Sequence, residues 1–76
     1  MITLDGLRKL LTWKVIGKPL PDGWEQDVRE YIRKKRYMID MLRRYSDKKE
    51  MLLVSENALN EAVSIAKYLG VRFDEE

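Results

Sequence analysis

The sequence predicts an all-α domain, a small three-helix bundle with a long central helix that spans residues 1–76 as a single helical domain. Apolar residues recur at three- and four-residue intervals in three separate stretches, which is the spacing of one helix face. Glycine or proline residues follow the first and third stretches, as they commonly do at helix ends. A chain of this length buries only about 60% of its unfolded surface, so its core is thin.

The first helix is predicted over residues 4–16. Its apolar positions at helical spacing are Leu4, Leu7, Leu10, Leu11 and Val15. Thr3 or Asp5 stands near its start, and Gly17 with Pro19 follows its end. The residue before each proline is pushed toward extended geometry, so residues 17–21 are expected to form a short, stiff connector.

The second helix is predicted to begin at a capping box, in which Asp22 caps the helix and Glu25 reaches back to it. A polar run at residues 46–49 is expected to end it. Its predicted apolar face consists of Trp24, Val28, Tyr31, Ile32, Ile39 and Leu42, with Met38 and Tyr45 beside it. Lys35 falls inside this face, which predicts a packed stem with its ammonium group reaching solvent. Alternatively, Lys35 meets a carboxylate of a partner.

The third helix is predicted over residues 56–69, with Ser55 as its N-cap and Gly70 as a left-handed stop. Its apolar face consists of Leu59, Ala62, Val63, Ala66 and Leu69. Residues 51–54 fit either an apolar helical turn or a short strand pairing with 71–73. The helical or irregular interpretation is favoured because an isolated pair of short strands is poorly stable. The alternative fold is α+β with that minor pairing.

The chemistry of an active site is largely missing from the sequence. It contains no histidine and no cysteine, which removes the commonest general base and the thiol nucleophile together with the usual zinc ligands. Its four glycines are dispersed and form no phosphate-binding loop. We therefore expect no enzymatic activity, no catalytic residue, no metal, no cofactor and no small-molecule substrate.

An arginine stripe on the second helix is the clearest charged feature. Its members are Arg29, Arg33, Arg36, Arg43 and Arg44. Arginines at this spacing can contact successive phosphates of a nucleic acid or bind an acidic partner. The alternative is a solvated flank in which Asp40 pairs with Arg36 or Arg44. The formal net charge of only +2 favours the solvated flank, because nucleic-acid-binding proteins usually have a clearer basic excess.

Several large apolar residues fall outside the predicted core faces, and we interpret them as a partner-binding surface. They are Trp13, Ile16, Tyr37, Met41 and Tyr68. The favoured function is a non-enzymatic protein–protein interaction or regulatory module that acts through helix faces on a protein partner or as a homodimer. The alternative function is nucleic-acid binding through the arginine stripe. No apolar run approaches the ~18 residues of a membrane span, and the N-terminal residues lack a signal-peptide pattern, so a cytoplasmic location is expected.

Overall fold

The computed structural model describes residues 2–45 and 47–72, and these residues form three helices. They are α1 (Leu4–Ile16), α2 (Trp24–Leu42) and α3 (Lys49–Leu69). The predicted all-α three-helix bundle is confirmed. With 21 residues against 19, α3 rather than α2 is the longest helix, so the expected length order was wrong.

Local capping signals determine both ends of α1. The Thr3 hydroxyl oxygen accepts a hydrogen bond from the Gly6 N–H at 3.1 Å, which satisfies one of the free donors of the first turn. At the other end, Gly17 adopts a left-handed φ of 81°, and the Lys18 N–H donates to the Trp13 carbonyl at 2.8 Å. The predicted bounds of the first helix are confirmed.

The start of α2 differs from the predicted capping box. Gly23, with a left-handed φ of 80°, is the N-cap, and no side chain caps this helix. The Trp24 N–H donates to the Pro21 carbonyl at 3.2 Å, so a tight turn leads directly into the helix. This turn moves Asp22 out of the cap position. The helix ends at Leu42, before the polar run expected to stop it, of which Ser46 lies outside the described residues.

The start of α3 corrects a second cap prediction. The helix begins at Lys49, so Ser55 lies in its second turn and is buried instead of capping it. The Ser55 hydroxyl donates to the Met38 sulfur at 3.5 Å, which gives this buried polar group a partner. Residues 51–54 are helical, so their predicted strand alternative is wrong. Phe73, part of that alternative, lies outside the described residues.

The end of α3 is the predicted glycine stop. Gly70 has a left-handed φ of 85°, and the Val71 N–H donates to the Ala66 carbonyl at 2.9 Å. Val71 is itself buried, so the apolar contact of a Schellman motif is present.

The helix α3 packs against both other helices. It is antiparallel to α2, because Arg29 near the start of α2 reaches the Arg72 carbonyl just past the end of α3. It is parallel to α1, since Arg8 lies beside Glu61 and later residues of α1 lie beside the last turns of α3. The buried core consists of Leu7, Leu10, Val28, Ile32, Ala62, Ile65, Ala66, Leu69 and Val71.

Two details of the predicted core were wrong. Val15 was placed on the buried face of α1, yet its side chain is 64% exposed near the end of that helix. Ile65 was not placed in the core, yet only 5% of it is exposed. None of the three helices is long and apolar enough to cross a membrane in the residues described.

Candidate interaction surface

The helices α2 and α3 form an antiparallel hairpin, and α1 covers only part of the groove between them. By the rise of 1.5 Å per residue, the 13 residues of α1 span about 20 Å and the 21 residues of α3 about 31 Å. The N-terminal end of α1 lies beside Met38 of α2, because Ile2, Leu4 and Met38 line the same groove. The α2–α3 groove therefore continues beyond the start of α1.

We call this continuation the open half-groove. It consists of Met38, Met41 and Tyr45 on the α2 side, and Met51 and Val54 on the α3 side. The α2 residues follow one another at three- and four-residue steps, so they form a single line. Their exposed fractions are 40%, 40% and 56%, and those of Met51 and Val54 are 54% and 68%. A line of large apolar side chains is thus left in solvent along each helix.

The face of α3 that carries Met51 and Val54 is the same face that is buried further along the helix. Ala58 follows Val54 by four residues, and Ala62 and Ile65 follow at steps of four and three. Ala62 and Ile65 are buried in the core that α1 helps to close. One continuous helix face is therefore covered in its second half and uncovered in its first.

The floor of the open half-groove is ordered by the contact between α2 and α3. Ser55, with 7% of its surface exposed, donates to the Met38 sulfur and holds that side chain against α3. Leu42 and Leu52 are half-buried nearby on the two helices. The exposed apolar side chains of α2 and α3 therefore lie at the same end of the helical hairpin, beyond the start of α1.

The groove lined by Ile2, Leu4 and Met38 lies between the start of α1 and the helix α2. It has a volume of about 400 Å³, and its apolar lining includes Ile2, Leu4, Tyr31 and Met38. Lys35 is half-buried at its edge, with its ammonium nitrogen 5.3 Å from the centroid of the Tyr31 ring. This distance is within the range of a cation–π contact, which gives the Lys35 charge a partner inside the chain.

Comparison with protein-family models, with curated proteins and with solved structures gives no match to this chain. The functional interpretation therefore rests on the chain's own geometry, and the open half-groove gathers five of the large exposed apolar residues among those described.

The five residues predicted to bind a partner do not lie together. Met41 lies in the open half-groove, and Tyr37 lies one turn before it with 69% of its surface exposed. Ile16 and Tyr68 are 66% and 58% exposed near the other end of the bundle. Trp13 is half-buried against the core, with the Lys18 ammonium nitrogen 4.7 Å from its ring centroid. The structure thus divides the predicted surface among three places.

Four residues of the open half-groove were not predicted to bind a partner. Met38 and Tyr45 were assigned to the edge of a buried face, while Met51 and Val54 belonged to a segment of undecided structure. The run of four apolar residues at positions 51–54 was the available signal. Four consecutive positions occupy all sides of a helix, so a bundle this small cannot bury all of them.

Two of the stripe arginines bind groups of this chain across helices. The Arg29 Nε donates to the Arg72 carbonyl at 2.9 Å, and its Nη2 lies 3.3 Å from a Glu25 carboxylate oxygen. Arg43, the C-cap of α2, donates to Glu56 at 3.3 Å. These contacts give both arginines a structural role in holding α2 against α3 and the residues that follow it.

The remaining stripe arginines lie on the exposed surface of α2 and the turn after it. Arg44 lies 3.7 Å from the Asp40 carboxylate, which confirms the predicted pairing of Asp40 with an arginine of the stripe. Both side chains are largely exposed, so the pair contributes little to stability. Arg33 and Arg36 are exposed one turn apart. The stripe is thus partly neutralised by acidic groups of its own chain.

Proposed function

We propose that this protein is a non-enzymatic protein–protein interaction module that binds its partner through the open half-groove. The observation that carries the proposal is the group of five large apolar side chains at the uncovered end of the α2–α3 hairpin, each at least 40% exposed. Contiguous exposed apolar surface of this kind is typical of interaction sites, whereas single exposed apolar residues are not.

The shape of the groove supports a helical partner segment. The same two helices, α2 and α3, hold α1 further along and continue beyond its start. Amphipathic helices bind such grooves through apolar residues spaced at three and four positions. The methionines Met38, Met41 and Met51 have flexible, polarizable side chains, which adapt readily to an apolar partner.

The charge distribution favours a protein over a nucleic acid as the partner. Arg29, Arg43 and Arg44 already contact carboxylates of this chain, and a nucleic acid would have to compete with those contacts. The net charge of +2 gives little long-range attraction to a polyanion. The lack of histidine and cysteine supports a role without catalysis.

Site-specific photo-cross-linking tests this function. A photoreactive amino acid replaces Met41, and this variant is produced in the organism whose genome naturally encodes the protein. We expect a covalent adduct with protein. The adduct should be lost when Val54→Asp is added, because a charge in an apolar interface is poorly solvated.

The matched control is Leu53→Asp. Leu53 is 59% exposed, close to the 68% of Val54, but it points about 100° away around the axis of α3. We expect this variant to keep the adduct. The absence of any protein adduct, or an adduct unaffected by Val54→Asp, would contradict the proposed function.

A further inference from the structure

The open half-groove is rich in methionine. Of the four methionines in the sequence, Met38, Met41 and Met51 belong to it. We infer that these three residues are an oxidative modification site, at which a peroxide converts the thioethers to sulfoxides and so releases the partner. This inference rests on the proposed function and names a regulation of the same surface. Solvent access, position in the fold and sulfur chemistry support it.

The three side chains are accessible to a small oxidant in solution. Met38 and Met41 are partly exposed, and Met51 is the most exposed of the three at 54%. Hydrogen peroxide is only slightly larger than water, so it reaches side chains that water reaches. The sequence contains no cysteine, so no thiol of these 76 residues competes for the oxidant.

The reaction is a two-electron oxidation of sulfur. A lone pair of the thioether attacks one oxygen of hydrogen peroxide, the O–O bond breaks, and a new bond joins that oxygen to sulfur. The sulfur is oxidised, the peroxide is reduced, and a proton shift releases one molecule of water. A flexible apolar side chain becomes a polar one, and methionine sulfoxide reductases reverse the change.

Oxidation at these positions alters the surface without adding a polar group to the core. The buried core formed by the described residues contains no methionine. In the free protein, the sulfoxides of Met41 and Met51 are solvated by water. A partner that covers them with apolar groups removes that water, which is costly for a polar group without a new hydrogen bond. Oxidation therefore opposes the complex much more than it opposes folding.

The three sulfur atoms are not equally available. The Ser55 hydroxyl donates to the Met38 sulfur at 3.5 Å and so engages a lone pair that the oxidant needs. Within the described part of the chain, neither Met41 nor Met51 has a side-chain hydrogen bond. We expect Met51 to be oxidised fastest and Met38 slowest. Ser55→Ala removes the hydrogen bond and should raise the rate at Met38.

Peroxide treatment of the full chain tests the modification itself. Peptide mapping by mass spectrometry follows the oxygen added at each methionine, and circular dichroism follows helicity. We expect sulfoxides at Met41 and Met51 in a protein that stays helical. Resistance of both residues under conditions that oxidise free methionine, or loss of the helices on oxidation, would overturn the inference.

Photo-cross-linking then tests the effect on the partner. A photoreactive amino acid replaces Tyr45, which leaves the methionines in place. The purified protein is oxidised, freed of peroxide and added to a desalted lysate of its natural host, which lacks the small reductants that reverse the reaction. We expect oxidation to reduce the protein adduct at least about tenfold.

The matched control carries Met38→Leu, Met41→Leu and Met51→Leu, which keep the surface apolar and free of sulfur. We expect it to form the adduct equally with and without peroxide. An adduct that survives oxidation of the three methionines would overturn the inference and leave the proposed function supported, as would equal loss of the adduct in the control. Absence of an adduct before oxidation would contradict the proposed function and the inference with it.

Discussion

The Arg8 guanidinium binds both carboxylate oxygens of Glu61, with Nε 2.6 Å from Oε2 and Nη2 2.9 Å from Oε1. This bidentate pair joins α1 to α3 about one turn after Ala58. It lies near the N-terminal end of α1, beyond which α1 no longer covers α3. The hydrogen bond from Arg8, reinforced by its charge, lowers the pKa of Glu61 below its ordinary value of 4.5. The pair therefore adds to the contact between α1 and α3 when Glu61 is ionised, beside the core packing of Leu7 and Leu10.

Replacing Glu61 with glutamine should destabilise the protein at neutral pH and not in acid. Because the folded-state pKa of Glu61 is lowered, its contribution is fully present above the ordinary value of 4.5 and is lost as the pH falls through the folded-state pKa. Thermal melts of the unmodified protein and Glu61→Gln should differ at pH 7 and converge below that range. Asp5→Asn, which removes a more exposed partner of Arg8, should have a smaller effect. A difference that stays constant with pH would contradict this assignment.

The core prediction concerns Ile32 of α2, which lies in the buried core and is 1% exposed. Ile32→Ala should lower the free energy of unfolding by about 2–5 kcal/mol, because it removes buried methyl groups and leaves a cavity. Urea denaturation measures the change. Leu53→Ala, at an exposed position, should stay within about 0.5 kcal/mol. Similar effects of the two substitutions would mean that the buried face of α2 is misassigned.

The C-terminal cap of α3 gives a prediction about backbone conformation. Gly70 has a φ of 85°, and an added Cβ would contact nothing within 4 Å. Gly70→Ala should therefore cost about 1–2 kcal/mol through the left-handed backbone alone. Gly70→Asn should cost less, because asparagine tolerates this conformation better. Equal stability of all three proteins in urea melts would exclude the left-handed cap.

The arginine stripe should not support tight nucleic-acid binding. Gel-shift titration at physiological salt should show duplex DNA retarded only above about 1 μM protein, as in non-specific binding. The double substitution Arg33→Glu and Arg36→Glu should weaken even this. Sub-micromolar binding that disappears in the double variant, but persists in Met41→Asp, would favour the nucleic-acid alternative over the interaction module.

Helix ends that depend on a few adjacent residues could be predicted from the sequence. Thr3 and Gly17 bound α1, and Gly70 ends α3, because each makes its capping contacts within its own helix or the next residue. The start of α3 could not be predicted in this way. Ser55 is equally suitable as an N-cap or as a small buried polar residue, and the choice depends on Met38 of another helix.

The open half-groove was beyond prediction for a related reason. Its existence depends on where α1 lies along α3, and that register is set by tertiary contacts such as Arg8 with Glu61. The periodicity of α2 correctly placed Val28, Ile32 and Ile39 in the interior. It could not indicate that Met38 would mark the end of the cover provided by α1.

The most direct test of the central claim is the solvent exposure of individual methyl groups in the purified protein and in a lysate of the cells that naturally produce it. Methionine and isoleucine methyl groups are labelled with ¹³C, and a soluble paramagnetic chelate broadens the NMR signals of those that face solvent. We predict that Met41 and Met51 become protected in the lysate, while Ile16, exposed at the far end of α1, stays equally broadened. Unchanged broadening at Met41 and Met51, or protection that appears at Ile16 instead, would contradict association through the open half-groove.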